Sequence, residues 1–152
     1  ILQLTQIIKI AYKEATKAMH KNEIPIGAVI FDKEKIISKA HNLCKAKKDP
    51  TAHAEILALK KAAKKINNNN LNKFMIYSTL EPCVFCSIAI SKYRINTIYF
   101  GAYDTHNGSL ENGIKIYNIS KKIFKPEVYG GIEAKSSEKL IKDFFKRIRK
   151  HD

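Results

Sequence analysis

The sequence predicts an α/β domain in three layers, with helices on both faces of a five-stranded mixed sheet. Short apolar runs alternate with stretches whose apolar residues recur every three or four positions, the pattern of strands exchanging with amphipathic helices. Asp32-Lys33-Glu34 separates two of the apolar runs closely enough for a hairpin. The 152 residues suit one core, on a usual scale of roughly 100–200 residues per domain, and no repeat, linker or composition break divides them. Residues 1–152 are therefore expected to form a single domain.

Over residues 2–20, Leu4, Ile7, Ile8, Ala11, Tyr12, Ala15 and Met19 make one apolar stripe, a first helix ending near Met19. Pro25 to Phe31 and Lys35 to Ala40 read as the hairpin strands. Asp49-Pro50-Thr51 offers a helix start, because proline pre-sets the backbone of a first turn, and Ala52 through Ile66 continues helically. The run Asn67 to Asn70 reads as a surface loop, since asparagine tolerates turn geometry. Phe74 to Ser78 is a strand, Cys83 to Lys92 a short helix after Pro82, and Ile95 to Phe100 another strand; this alternation implies parallel pairing. Glu127 to Tyr129, with Gly130-Gly131 beyond, suggests the last strand. Glu133 to Lys150 closes as a helix carrying Leu140, Ile141, Phe144, Phe145 and Ile148.

Hydrophobic residues at 45% and charged residues at 28% are ordinary globular usage and exclude disordered and collagen-like classes. No stretch approaches the ~20 apolar residues of a membrane span. Lys9, Lys13, Glu14 and Lys17 lie on a helical pattern in the first twenty residues, so neither a membrane anchor nor a secretion signal is expected, and the expected location is cytoplasmic. Lys plus Arg number 28 against 14 acids, a formal +14 with pI near 9.7, which points to a polyanionic partner. Twenty-five of those bases are Lys and the chain is rich in Ile and Asn, so compositional bias competes with that reading. Cys44, Cys83 and Cys86 are too few and too unevenly placed for a disulfide framework; a close Cys pair reads as metal or redox chemistry.

His53-Ala54-Glu55 at one helix start and Pro82-Cys83-Val84-Phe85-Cys86 at another decide between those. His53, Cys83 and Cys86 make three zinc ligands. Unpaired N–H groups and the positive end of a helix dipole stabilise thiolate, the form that binds metal. Three protein ligands leave the fourth tetrahedral position open, as in catalytic sites, whereas structural sites are closed by four. Water there is acidified towards a pKa of ~7. Glu55, two residues beyond His53, faces that position without ligating and can shuttle a proton. Either motif alone has an ordinary reading, a redox pair or a solvated helix face; together, with Pro82 before the first Cys, they are far more specific.

The H-x-E and P-C-x-x-C pair is the known signature of the zinc-dependent nucleobase deaminases, and the sequence resembles that family, within it the bacterial tRNA-specific adenosine deaminases of the cytidine and deoxycytidylate deaminase superfamily. The resemblance extends along nearly the whole chain: residues 24–29 (IPIGAV), His41-Asn42, 49–55 (DPTAHAE), 79–83 (TLEPC), Phe100-Gly101-Ala102 with Asp104, and 143–147 (DFFKR) stand in the family's order. It implies a three-layer cytidine-deaminase-like fold, one zinc per chain, a homodimer, and conversion of the wobble adenosine of a tRNA anticodon to inosine. Zinc-activated hydroxide would attack C6 of the adenine while Glu55 moves protons to N1 and to the departing ammonia. Asn42 would hydrogen-bond the nucleotide, Ala54 would lay its backbone against the base, and Asp104 would place the flipped nucleotide or its neighbour. Without the resemblance, Asn42 and Asp104 read as a turn cap and a loop acid.

On the last helix, Phe144 and Ile148 are expected to face the core. Phe145 lies beside that stripe, suited to stacking on a nucleotide, with Arg147 and Arg149 reaching phosphate. A solvated basic helix end is the plain alternative. Glu81 is expected to support the nearby helix start, Cys44 to be a partly buried free thiol, and His41 and His106 to be structural or loop residues. The chain departs from the family at residues 105–113 (THNGSLENG), where a Lys and a run of small residues are usual. Competing functions are deamination of a free nucleobase or nucleoside of guanine or cytosine type, and a non-catalytic zinc-stabilised RNA-binding module. The basic surplus, Asn42 and the 144–150 tail speak against the first, and Glu55 against the second. A thiol–disulfide oxidoreductase would need neither His53 nor Glu55.

Overall fold

The protein is described from a computed structural model covering residues 1–150. Helix α1 (Leu4–His20) opens with a capping box in which Gln3 and Gln6 satisfy each other's backbone N–H groups. Strands β1 (Gly27–Phe31) and β2 (Ile36–His41) form the hairpin, closed by Asp32, whose Oδ1 accepts from the N–H groups of Glu34 and Lys35. Then follow α2 (Ala54–Ile66), β3 (Met75–Leu80), α3 (Val84–Lys92), β4 (Thr97–Ala102), a 3-10 turn (Ile116–Asn118), β5 (Glu127–Tyr129) and α4 (Ala134–Arg149). Asn67 ends α2 in the left-handed conformation at φ 54°, a use of asparagine in keeping with a loop reading of the Asn run.

The sheet order is β2-β1-β3-β4-β5. Strand β1 runs antiparallel to β2 and β3, whereas β3, β4 and β5 run parallel, so the expected five-stranded mixed sheet is present. Alternation sorts side chains onto two faces. Ala28, Ile30, Ile76 and Ile98 join Ala58, Leu59 and Ala62 of α2 and Ile90 of α3 in one core. Val29, Phe31 and Tyr77 pack with Ile7, Ile8 and Ala11 of α1 in the other, where α4 also lies. Gly27 lets α1 approach the sheet: a Cβ there would overlap the Ala11 carbonyl and the Ala15 nitrogen. Among the described residues no helix is long and apolar enough to cross a membrane.

Three boundaries correct the sequence reading. Helix α2 begins at Ala54 rather than Ala52. Asp49 caps a preceding turn, its Oδ1 accepting from Thr51 N (2.8 Å) and Oγ1 (2.6 Å), and His53 keeps an extended backbone. Strands β3 and β4 run two residues further than predicted, to Leu80 and Ala102, because Leu80 pairs with Ala102 across the parallel ladder. The extra length of β3 carries Thr79 in fully buried, a polar residue that apolar patterning places outside a strand.

Candidate active site and metal centre

His53 and Cys83 occupy equivalent places, the N-caps of α2 and α3, at ψ 151° and 173°. Neither side chain caps its own helix, so both are free for other work. Cys86, in the first turn of α3, is fully buried. His53 Nδ1 lies 3.7 Å from Cys83 Sγ and 3.3 Å from Cys86 Sγ, and the three ligand atoms fall within 4.8 Å of one another. Two ligands on a tetrahedral zinc, at about 2.0–2.1 Å for nitrogen and 2.3 Å for sulfur, stand roughly 3.5 Å apart, so the residues fit the ion. One imidazole and two thiolates are also a donor set that zinc prefers.

The hydrogen bond from Cys86, together with His53 and against burial, pulls the Cys83 thiol down to about 4. The same sharing with Cys83, reinforced by burial, pushes Cys86 upward. The bond with Cys83 raises His53, although burial opposes it. Metal binding at such a site releases the shared proton.

Glu55 is the second residue of α2 and only 4% exposed. Burial pushes its carboxyl up to about 7. Its Oε1 is buried with no hydrogen-bond partner, an arrangement costing about 1–3 kcal/mol unless a bound water or substrate completes it. His53, Cys83 and Glu55 open onto a cavity of about 1070 Å³.

The structure distributes the other predicted site residues unequally. Asn42 lines the cavity; its Oδ1 accepts from Ala54 N at 2.8 Å, and its Nδ2 has no partner among the described residues. Ala54 is fully buried, its N–H is spent on Asn42, and it is not part of the cavity wall. Asp104 is in the wall, with Oδ1 accepting from the N–H groups of His106 and Asn107 at 3.0 Å each. Phe145 is 44% exposed and lines the same cavity. Arg147 does not: its Nη2 donates to Met19 O (2.8 Å) and Asn22 Oδ1 (3.3 Å), tying α4 to the end of α1. His41 is structural, donating from Nδ1 to Glu14 Oε1 (3.0 Å) while Lys21 donates to its Nε2 (3.1 Å). Cys44, half-buried, lines the cavity but lies outside the ligand cluster.

Two buried acids go beyond the sequence reading. Glu23 accepts from the N–H groups of Lys45 and Ala46. Glu81 accepts from the backbone of Asp104, Leu110, Glu111 and Asn112. Its position before Pro82-Cys83 was a signal that it mattered; its partners, more than twenty residues away, left none.

A cluster suited to zinc, an unpartnered carboxylate beside it and helix starts presenting both over this strand order define a zinc-dependent deaminase of the nucleobase type. The model of the cytidine and deoxycytidylate deaminase zinc-binding region matches residues 2–102. A tRNA-specific adenosine deaminase of Rickettsia felis is 44% identical, covering 91% of this chain and 98% of the relative. One of Aquifex aeolicus is 40% identical, with 93% of each covered. A structure solved in a study of A-to-I editing by tRNA:A34 deaminases at the wobble position superposes with a TM-score of 0.87 at 34% identity, over 90% of this chain and 99% of that one. The chain belongs to the cytidine and deoxycytidylate deaminase family and, within it, to the tRNA-specific adenosine deaminases.

Proposed function

We propose that the chain hydrolytically deaminates adenosine to inosine at the wobble position of a tRNA anticodon, in the cytoplasm, as a homodimer with one zinc per chain and residues 1–152 acting as one deaminase domain. The observation that carries this reading is the unpartnered Glu55 Oε1 beside the His53, Cys83 and Cys86 cluster, at a cavity large enough for a nucleotide. Zinc held by those three residues supplies the Lewis acidity that makes water a nucleophile at neutral pH. Glu55 would take one proton from the attacking water and deliver it to N1 of the adenine, then take the proton of the new C6 hydroxyl and pass it to the departing amine, which leaves as ammonia. A carboxyl raised to about 7 serves as both base and acid.

Asn42 holds the nucleotide through Nδ2, and the Ala54 N–H fixes the Asn42 amide in that orientation. Asp104 places the flipped nucleotide or its neighbour, and Phe145 stacks on a base. Arg147 serves RNA binding indirectly, by anchoring the helix that presents Phe145. An anticodon loop suits the chemistry, because extruding a largely unpaired base costs less than opening a duplex. The relatives' activity and the basic surplus support RNA over a free base; a dimer would widen the basic surface.

The test is inosine formation in an anticodon stem-loop with adenosine at the wobble position, using zinc-loaded wild type and Glu55→Ala, with metal content measured for both. Conversion by wild type alone, with zinc in both proteins, is expected. No conversion by zinc-bound wild type overturns the RNA reading in favour of free nucleobases or nucleosides. Equal conversion by Glu55→Ala removes the proton shuttle.

A further inference from the structure

Glu81 follows β3 directly and precedes the Pro82-Cys83 ligand segment, with 2% of its surface exposed. Its Oε1 accepts from Asp104 N (3.1 Å) and Asn112 Nδ2 (2.7 Å). Its Oε2 accepts from the N–H groups of Leu110 (3.1 Å), Glu111 (2.8 Å) and Asn112 (3.0 Å). All these donors come from one segment, residues 104–112, which has neither helix nor strand of its own. Gly108 closes so tightly over the carboxylate that a Cβ would meet both it and the Asp104 carbonyl. Gly108 also bridges to Cys83, and Ser109 donates to the Pro82 carbonyl from both N and Oγ at 3.1 Å. The same segment supplies Asp104, Thr105, His106, Asn107 and Gly108 to the cavity wall. A loop rich in glycine, asparagine and serine has a large conformational entropy to lose. Here one buried side chain gathers the backbone donors that fold it.

We propose that Glu81 is a positioning residue for substrate: its carboxylate pre-shapes the 104–112 loop, so that the nucleotide meets an ordered cavity wall. The inference rests on the deaminase reading and places Glu81 at the binding step rather than at the metal. Because the wall is ordered before substrate arrives, its entropy cost does not reduce affinity.

Glu81→Gln keeps the side-chain volume but turns one acceptor end into a donor facing N–H groups. Asn112→Asp opposes Glu81 with a second carboxylate from the partly exposed side of the loop and leaves Pro82-Cys83 untouched. Hydrogen exchange is expected to lose protection in 104–112 of both variants, while α2, α3 and zinc content stay as in wild type. KM for the stem-loop rises about tenfold or more in Glu81→Gln and less in Asn112→Asp, with kcat held within about threefold. Unchanged protection overturns the proposal, as does lost protection with unchanged KM. Lost zinc or a fall in kcat alone in both variants also overturns it, assigning Glu81 to the metal site. If wild type converts no RNA, the functional reading falls by itself, and the exchange pattern still decides whether Glu81 shapes the loop.

Discussion

His53 and Cys83 each stop short of entering their helices, and that hesitation is what aims them. An N-cap residue has extended backbone angles, and its side chain ordinarily turns back to accept from the first N–H groups of the helix. In these two the side chain makes no bond to its own helix and lies instead beside the other members of the cluster. Glu55, one residue further into α2 than Ala54, is buried with its Oε1 unpartnered, and it opens onto the same cavity as His53 and Cys83. Glu14 shows the opposite treatment of a buried acid. Burial pushes its carboxyl up, but bonds from Lys17 and His41 outweigh that and hold it below its ordinary value near 4.5. A carboxyl lowered by folding contributes stability above its unfolded pKa and loses it as pH falls through the folded value. Glu14→Gln should therefore cost about 1–3 kcal/mol near neutral pH and little at the acid end. Thermal melts from neutral pH to below 4 read this; a stability difference that stays constant across the range counts against the ion pair.

At the scale of elements, the hairpin and the two ligand-bearing helices are ordinary in sequence, and their spacing makes the site. Helices α2 and α3 pack together on one face, so their N-termini, thirty residues apart in the chain, come within bonding reach. Helix α1 sits against β1 as closely as backbone allows, and Gly27 is the reason. Gly27→Ala forces the helix off the sheet, and overpacking of this kind costs about 1–3 kcal/mol. In a chain of this size that corresponds to a melting temperature lower by about 2–4 °C per kcal/mol. An unaltered melting temperature would mean that α1 rides over the sheet with room to spare. Helix α4 buries little beyond Phe144 and Ser137, and Phe145 remains available to the cavity.

For the whole molecule the formal charge of +14 is the feature with a measurable consequence. Contacts to RNA phosphates release counterions, so log affinity falls linearly with log salt, by roughly 0.7 per phosphate for a single strand. Three or more such contacts lower affinity for the anticodon stem-loop about tenfold or more between roughly 50 and 200 mM salt. Titrations of stem-loop binding across that range measure the slope. A flat dependence returns the lysine excess to compositional bias.

Residue type and spacing alone determined a good deal. The strand and helix periods, the hairpin turn, the Asn67 helix end and each half of the metal cluster, His53 with Glu55 and Cys83 with Cys86, all depend on neighbours close in sequence, where period and motif report directly. The tertiary structure decided what distant segments do to one another. It spent the Ala54 N–H on Asn42 and tied Arg147 to the end of α1. It made Glu81 the anchor of a loop more than twenty residues away. A buried carboxylate must find donors wherever the fold brings them, and no local pattern encodes which backbone amides those will be.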